Sequence, residues 1–131
     1  MMDLAAVESA GERLGRDLAP QSVLWLEGPL GAGKTTLARA IVRGRGVPEL
    51  ATSPTYGLVH HYEGPKGSVY HVDCYRLRHA DEAADLDWET LVGGDLLLIE
   101  WPARAGAWAP RPSLIVLLDH AGDDLRTMDL R

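Results

Sequence analysis

The sequence predicts an α/β protein with three layers and a mixed parallel and antiparallel sheet. Two apolar runs, residues 23–26 and 96–99, have the composition of buried central strands. A helix is predicted directly after the first run, and two pairs of strand-like runs separated by turn-forming residues favour antiparallel hairpins. The 131 residues are enough for one domain, residues 1–131, with a buried core.

The first element is a helix over residues 4–18. Gly11 and Gly15 weaken its pattern, and Pro20 ends it. The apolar stripe that predicts this helix is formed by Leu4, Val7, Leu14 and Leu18.

The other elements follow along the chain without an internal repeat or a linker, so no domain boundary is predicted. Turn-rich residues between the paired strands predict the two hairpins. The predicted ranges are a strand at 23–27, a helix at 36–44, a loop at 44–56, strands at 58–62 and 69–73, a polar helix at 80–91, a strand at 96–100, a loop at 101–112, and strands at 114–118 and 125–130.

The composition is that of a globular protein outside the membrane, with 46% hydrophobic and 24% charged residues. No run of about 18 apolar residues occurs, and the N-terminus lacks the basic start and apolar core of a signal peptide. Cys74 is the single cysteine, which excludes an internal disulfide. These observations favour a cytoplasmic location with no membrane partner.

The net charge of −6 disfavours nucleic-acid binding over the whole surface. Arg39 and Arg43 are four residues apart on a predicted helix, so they share a face, and Arg45 follows closely. These arginines form either a solvated outer face or a local basic patch.

Residues 28–35, G-P-L-G-A-G-K-T, match the phosphate-binding pattern G-x-x-x-x-G-K-[ST] without a mismatch. The glycines let successive backbone N–H groups point into one concavity, to which the following helix N-terminus adds a partial positive charge. Lys34 is then placed to reach the β- and γ-phosphates of a nucleotide, and the Thr35 hydroxyl to bind Mg²⁺. The motif therefore predicts a P-loop NTPase-like fold that binds a nucleotide.

Glu100 ends the apolar run at 96–99, which is the usual setting of a Walker B acid. In that position its carboxylate would hold Mg²⁺ or its water opposite Thr35. The alternative is an edge glutamate in solvent.

A second group of polar residues, His71, Asp73, Tyr75 and Arg76, follows another predicted strand. Asp73 is predicted either to have a role at the site, where it would ligate Mg²⁺ through water or position the attacking water, or only to cap the end of a strand. His71 is interpreted as a packing residue rather than a base, because phosphoryl transfer depends on positioning and charge more than on proton abstraction.

The segment S-P-T-Y at residues 53–56 lies on a predicted loop. Thr55 on such a loop is positioned either to sense Mg²⁺ and the γ-phosphate as a switch or to belong to a plain Ser-Pro turn. The spacing does not distinguish these alternatives.

Taken together, these residues resemble the bacterial TsaE (YjeE) family, the small ATPases needed to make N6-threonylcarbamoyladenosine (t6A37) on tRNA. The likeness spans roughly residues 4–118 and rests on four ordered blocks: residues 28–36, S-P-T-Y at 53–56, H-x-D-x-Y-R at 71–76 and I-E-W-P at 99–102. Two departures are Gly57, where the family often has threonine, and Cys74, where it often has an apolar residue.

The resemblance implies roles for individual residues. Glu100 matches the Walker B acid, Asp73 an acid important for function, Thr55 a residue of the switch-like loop and Trp101 a tryptophan near the nucleotide. The residues expected at the nucleotide phosphates are Gly28, Gly31, Ala32, Gly33, Lys34, Thr35 and Thr36. The catalytic group is then Lys34, Thr55, Asp73 and Glu100, with Thr35 and Glu100 at the metal.

The resemblance also implies an ATPase with low turnover alone that acts in complex with a TsaB–TsaD pair and contacts tRNA mainly through these partners. A small-molecule P-loop kinase is a second hypothesis, although the chain has no separate arginine-rich lid segment. A nucleotide-gated binding module that never turns over is a third. The absence of an N-K-x-D or T-K-x-D motif argues against a GTPase.

Overall fold

The computed structural model describes residues 1–48 and 58–131, which fold as three α/β layers. Short 3₁₀ segments at Ala80–Asp85 and Pro102–Trp108 accompany the longer elements. The helices and strands are α1 (Leu4–Asp17), β1 (Ser22–Glu27), α2 (Lys34–Gly44), β2 (Val59–Gly64), β3 (Gly67–Asp73), α3 (Trp88–Val92), β4 (Leu96–Glu100), β5 (Leu114–His120) and β6 (Arg126–Leu130).

The six strands form one mixed sheet in the order β2-β3-β4-β1-β5-β6. The four inner strands are parallel, and β2 and β6 pair antiparallel with their neighbours at the two edges. Strands β1 and β4 lie at the centre, as their apolar sequences predict. The predicted three-layer fold with a mixed sheet is confirmed.

Two apolar clusters on opposite faces of the sheet form the core. Leu24 and Leu98 face a cluster that includes Leu37 and Ile41 of α2. On the opposite face, Ile99 packs with residues of the 3₁₀ segments and α3. The sheet is therefore covered on both sides, and the carboxyl ends of β1, β3 and β4 meet at one edge of it.

The two glycines that weaken the pattern of α1 lie where this helix meets α2. A Cβ at Gly15 would overlap the carbonyl oxygen of Ile41, and one at Gly11 would crowd the side chain of Ala40. Glycine therefore lowers helix propensity here but permits close packing of the two helices.

Several predicted boundaries are corrected by the structure. Helix α2 begins at Lys34 rather than at residue 36, which brings Lys34 and Thr35 into its first turn. The predicted helix at 80–91 is a 3₁₀ segment followed by α3, because Leu86 is extended and Asp87 caps α3 through its side chain. The predicted loop at 101–112 contains the 3₁₀ segment Pro102–Trp108.

The three arginines near α2 do not share one environment, so neither interpretation of them holds for Arg45. Arg39 and Arg43 are exposed, whereas the side chain of Arg45 is fully buried against Asp95. Its Nε and Nη2 donate to the Asp95 carboxylate over 2.7 and 2.8 Å, and its Nη1 donates to two carbonyls at the end of α1. The sequence pattern predicts an exposed Arg45. In the structure, the bidentate hydrogen bonds to Asp95 compensate for the burial of its charge.

Among the described residues, no helix is long and apolar enough to cross a membrane.

Candidate functional site

A cavity of about 300 Å³ opens at the carboxyl edge of the parallel strands. This edge is where open α/β sheets bind ligands, because loops and helix N-termini converge there. The cavity is lined by Leu4, Leu30, Gly31, Gly33, Lys34, Thr35, Thr36, Asp73, Tyr75, Glu100, Trp101 and Arg126.

The loop between β1 and α2 has the backbone shape of a phosphate cradle. Gly28 and Gly33 have φ values of 147° and 105°, which side-chain-bearing residues rarely adopt. A Cβ at Gly28 would also overlap the carbonyl oxygen of Leu118 on β5. The tight curl that the motif predicts is therefore present, and it depends on glycine at these two positions.

Lys34 is buried in the first turn of α2, with its ammonium group turned back onto the loop. Its Nζ donates to the carbonyl oxygens of Gly28 and Pro29 over 2.5 and 2.8 Å. The same nitrogen lies 4.3 Å from the centre of the Trp101 ring. Burial lowers the pKa of Lys34, while the negative charges of Glu100 and Asp73 act in the opposite direction.

Glu100 ends β4 as a buried carboxylate with two side-chain partners. The Thr35 hydroxyl lies 3.1 and 3.2 Å from its two oxygens, and His71 Nε2 lies 2.5 Å from Oε2. Since an ionised carboxylate only accepts hydrogen bonds, His71 and Thr35 are the donors. Glu100 is therefore not an edge glutamate in solvent, and the structure places it against Thr35.

Asp73 ends β3 beside Glu100 and lines the same cavity. Its Oδ1 accepts a hydrogen bond of 3.0 Å from the backbone N–H of Tyr75, so it also caps the turn that follows the strand. The carboxylate that caps this turn also faces the cavity, so a capping role and a role at the site are compatible.

Trp101 follows Glu100 directly and has a left-handed backbone, with φ 56° and ψ 50°. This conformation costs a non-glycine residue of order 1–3 kcal/mol. The Tyr75 ring lies 5.1 Å from the Trp101 ring, and the Arg104 guanidinium lies 4.7 and 5.6 Å from the Tyr75 and Trp101 rings. The left-handed turn therefore places the Trp101 ring against the Lys34 ammonium. We call the Trp101 and Tyr75 rings the aromatic wall.

The structure brings most of the predicted site residues to this cavity. Gly28 and Ala32 do not line it; Gly28 shapes the loop through its positive φ, and Ala32 is fully buried. Thr55 and the rest of the segment at 53–56 lie outside the described residues. The predicted residues along the cavity are Gly31, Gly33, Lys34, Thr35, Thr36, Asp73, Glu100 and Trp101.

Three contacts at this site were not predicted from the sequence. The interpretation of His71 as a packing residue is incomplete, because it is buried but its ring also contacts the Glu100 carboxylate. His120 and Arg126 reach the loop from the last hairpin. For His71, its place two residues before Asp73 on one strand face was a usable signal, whereas the distant hairpin offered none.

A larger cavity of about 890 Å³ lies between the β2–β3 edge and the segments that cover the other face of the sheet. Its lining combines apolar residues with Glu82, Asp85 and Asp87 and includes no lysine or arginine among the described residues. Because phosphate binding requires positive charge and N–H donors, the smaller cavity is the candidate site.

Comparison with known families agrees with this geometry. The family model "Threonylcarbamoyl adenosine biosynthesis protein TsaE" matches residues 1–128. The chain belongs to the TsaE family. This membership associates it with tRNA threonylcarbamoyladenosine biosynthesis, and the family together with the P-loop fold indicates a nucleotide-binding protein.

Individual relatives support the same assignment. The TsaE protein of Bacillus subtilis is 36% identical over 82% of this chain and 67% of its own length. The TsaE protein of a Nostoc species is 31% identical over 99% of this chain and 82% of its own length. The crystal structure of Bacillus subtilis YdiB matches with a TM-score of 0.77 and 27% identity, over 98% of this chain and 79% of that one.

Proposed function

We propose that this TsaE family member binds and hydrolyses ATP in support of N6-threonylcarbamoyladenosine formation on tRNA. The observation that carries the proposal is the convergence of the Lys34 ammonium, the Thr35 hydroxyl and the Glu100 carboxylate on one cavity beside a glycine-dependent loop. This combination of a cation, a hydroxyl and an acid suits a nucleotide polyphosphate with a divalent cation.

The donor set fits Mg²⁺, which prefers hard oxygen ligands. The Thr35 hydroxyl and the Glu100 carboxylate lie within hydrogen-bond distance of each other and would hold the ion from two elements. When bound, Mg²⁺ neutralises charge on the phosphate oxygens and helps to orient them. His71 keeps the Glu100 carboxylate in one orientation, so this ligand is positioned before binding.

The remaining residues bind and position the substrate. Loop N–H groups and Lys34 would hold the β- and γ-phosphates of ATP, with ADP retained as product. Asp73 faces the cavity and would position the attacking water, together with Thr55 from the switch-like segment. Trp101 would contact the nucleotide as part of the aromatic wall.

We place this activity in the cytoplasm, where ATP, Mg²⁺ and tRNA are present, in a complex with a TsaB–TsaD-like pair. The net charge of −6 supports contact with tRNA mainly through these partners, because like charges repel. Slow turnover in isolation is expected if the partners complete the switch.

Calorimetry of the full chain with ATP and ADP in magnesium buffer, followed by phosphate-release assays with and without the TsaB–TsaD pair, tests the proposal. We expect heat with both nucleotides, slow hydrolysis alone and faster hydrolysis with the pair. Depletion in cells, followed by tRNA nucleoside analysis, should lower the threonylcarbamoyladenosine content. Absence of heat with either nucleotide would refute the proposal.

Two other outcomes would redirect the assignment. Binding with no turnover even in the complete complex would identify a nucleotide-gated module. Phosphoryl transfer to a metabolite instead of water would identify a kinase.

A further inference from the structure

The carbonyl oxygens of the phosphate loop are held by a row of side-chain donors. Each carbonyl oxygen from residue 28 to residue 32 accepts a hydrogen bond from a side chain. Lys34 contacts the first two, at Gly28 and Pro29. His120 Nε2 lies 3.1 Å from the carbonyl oxygen of Leu30, and Arg126 contacts the last two carbonyls.

Arg126 bridges two successive peptide groups. Its Nη2 donates to the Gly31 carbonyl over 3.2 Å and its Nε donates to the Ala32 carbonyl over 3.2 Å. Its Nη1 donates to the main-chain oxygen of Asp124 over 2.9 Å. Within the part of the chain that the structure describes, its acceptors are all carbonyl oxygens, so its full positive charge remains beside the cavity that it lines.

His120 and Arg126 both come from the β5–β6 hairpin. His120 and Arg126 are directly opposite each other in the β5–β6 pairing, at the end next to the connecting turn. The main chain of Arg126 also pairs with Met2 through two hydrogen bonds of 2.7 Å. Both residues therefore belong to the sheet rather than to the connecting turn.

We propose that His120 and Arg126 are positioning residues that keep the phosphate loop open for polyphosphate binding. In a trans peptide the C=O and the next N–H point in opposite directions. Donors that hold the carbonyls of Leu30 and Ala32 towards the hairpin therefore direct the N–H groups of Gly31 and Gly33 away from it. This inference rests on the proposed nucleotide function and adds the hairpin to it.

The matched variants are Arg126→Gln, which removes the charge and the bridge, and Arg131→Gln, which removes the same charge from the end of the same hairpin. Arg131 pairs with Asp129 and is 67% exposed. Arg126→Lys keeps the charge but replaces the two-pronged donor with a single ammonium. His120→Ala removes the donor to Leu30 alone.

Two measurements on the full chain test the inference. Calorimetry with ADP and Mg²⁺ should show Kd raised about tenfold in Arg126→Gln, less in Arg126→Lys and about threefold in His120→Ala. Amide hydrogen exchange of the nucleotide-free protein should be faster in peptides that cover residues 28–35 of Arg126→Gln. Arg131→Gln should match the parent in both measurements, with the melting temperature of each variant recorded to exclude unfolding.

An Arg126→Gln protein with parental Kd and parental loop exchange would overturn the proposal, as would an equal loss in Arg131→Gln. Full retention in Arg126→Lys would also contradict it, because charge alone would then be sufficient. If the parent chain binds no nucleotide, the proposed function is refuted, while the exchange comparison still decides whether the hairpin fixes the loop.

Discussion

Asp73 and Glu100 lie opposite each other at the carboxyl ends of the neighbouring parallel strands β3 and β4. Both carboxylates face the cavity that holds the Lys34 ammonium, and both favour its charged form. Burial opposes them and lowers the pKa of Lys34 overall. The positive charge of Lys34 therefore faces two negative charges, and its ammonium group is placed to bind phosphate.

Replacing Lys34 with alanine should remove most of the nucleotide affinity. The change deletes a charged donor to phosphate and removes the cation that faces the Asp73 and Glu100 charges next to an anionic ligand. Loss of a charge-assisted hydrogen bond corresponds to a Kd for ATP raised about 10- to 150-fold, which calorimetry will measure.

Lys66 provides the control, since it is the only other lysine in the sequence and is exposed. Lys66→Ala should keep the parental Kd and the parental rate of hydrolysis. Parental ATP binding and hydrolysis in Lys34→Ala would refute the role of Lys34.

Replacing Glu100 with glutamine should separate hydrolysis from binding. The amide has nearly the same volume but lacks the charge that would hold Mg²⁺, so Mg²⁺-dependent phosphate release should fall roughly 100-fold. The Kd for ADP should change little, because the loop and Lys34 remain. Glu89 is exposed on α3, and Glu89→Gln is the control variant. Hydrolysis at the parental rate in Glu100→Gln would contradict the metal-binding role of Glu100.

The phosphate loop and Glu100 could be predicted because the signal for each lies within a few residues. The glycines, Lys34 and Thr35 occupy consecutive positions between a strand and a helix, and the apolar run before Glu100 identifies the central strand. Parallel pairing then brings the two segments together, which explains why the fold class agrees with the prediction and why Glu100 lies against Thr35.

The contacts that could not be predicted join residues that are far apart in the chain. Arg126 lies 94 positions from Ala32, and Arg45 lies 50 positions from Asp95. A local pattern assigns an isolated arginine to solvent, because burial without a partner is costly. Only the tertiary fold supplies the partner.

Arg43 and Arg45 provide a direct comparison of an exposed and a buried ion pair. Arg43 lies 3.5 Å from each of Glu8 and Glu12, and these side chains are all well exposed, whereas Arg45 is fully buried with Asp95. Arg45→Met should lower the free energy of unfolding by about 3–5 kcal/mol, since Asp95 would remain buried and unpaired. Arg43→Met should cost at most about 1 kcal/mol.

Urea unfolding of both variants measures these differences. The double variant Arg45→Met/Asp95→Leu should be more stable than Arg45→Met, because no unpaired charge is left in the interior. Equal free energies of unfolding for the Arg43 and Arg45 variants would show that breaking the buried ion pair costs no more than breaking the exposed one.

Cys74 should be unreactive in the folded protein although its neighbours line the site. Burial, with a smaller contribution from the negative charge of Asp73, raises the pKa of its thiol from 9.0 to about 12. Because the thiolate is the nucleophile, iodoacetamide at pH 8.5 should label the native chain far more slowly than the urea-unfolded chain. Labelling reports on this residue alone, since the sequence contains one cysteine.

The same shift predicts how stability depends on pH. Above about pH 9 the unfolded chain loses the thiol proton while the folded chain keeps it, so the free energy of unfolding should fall as the pH rises from 9.0 towards about 12. Cys74→Ala removes this titration and should show a smaller fall over the same interval. Equal slopes for parent and variant, or rapid labelling of the native chain, would contradict a buried neutral thiol.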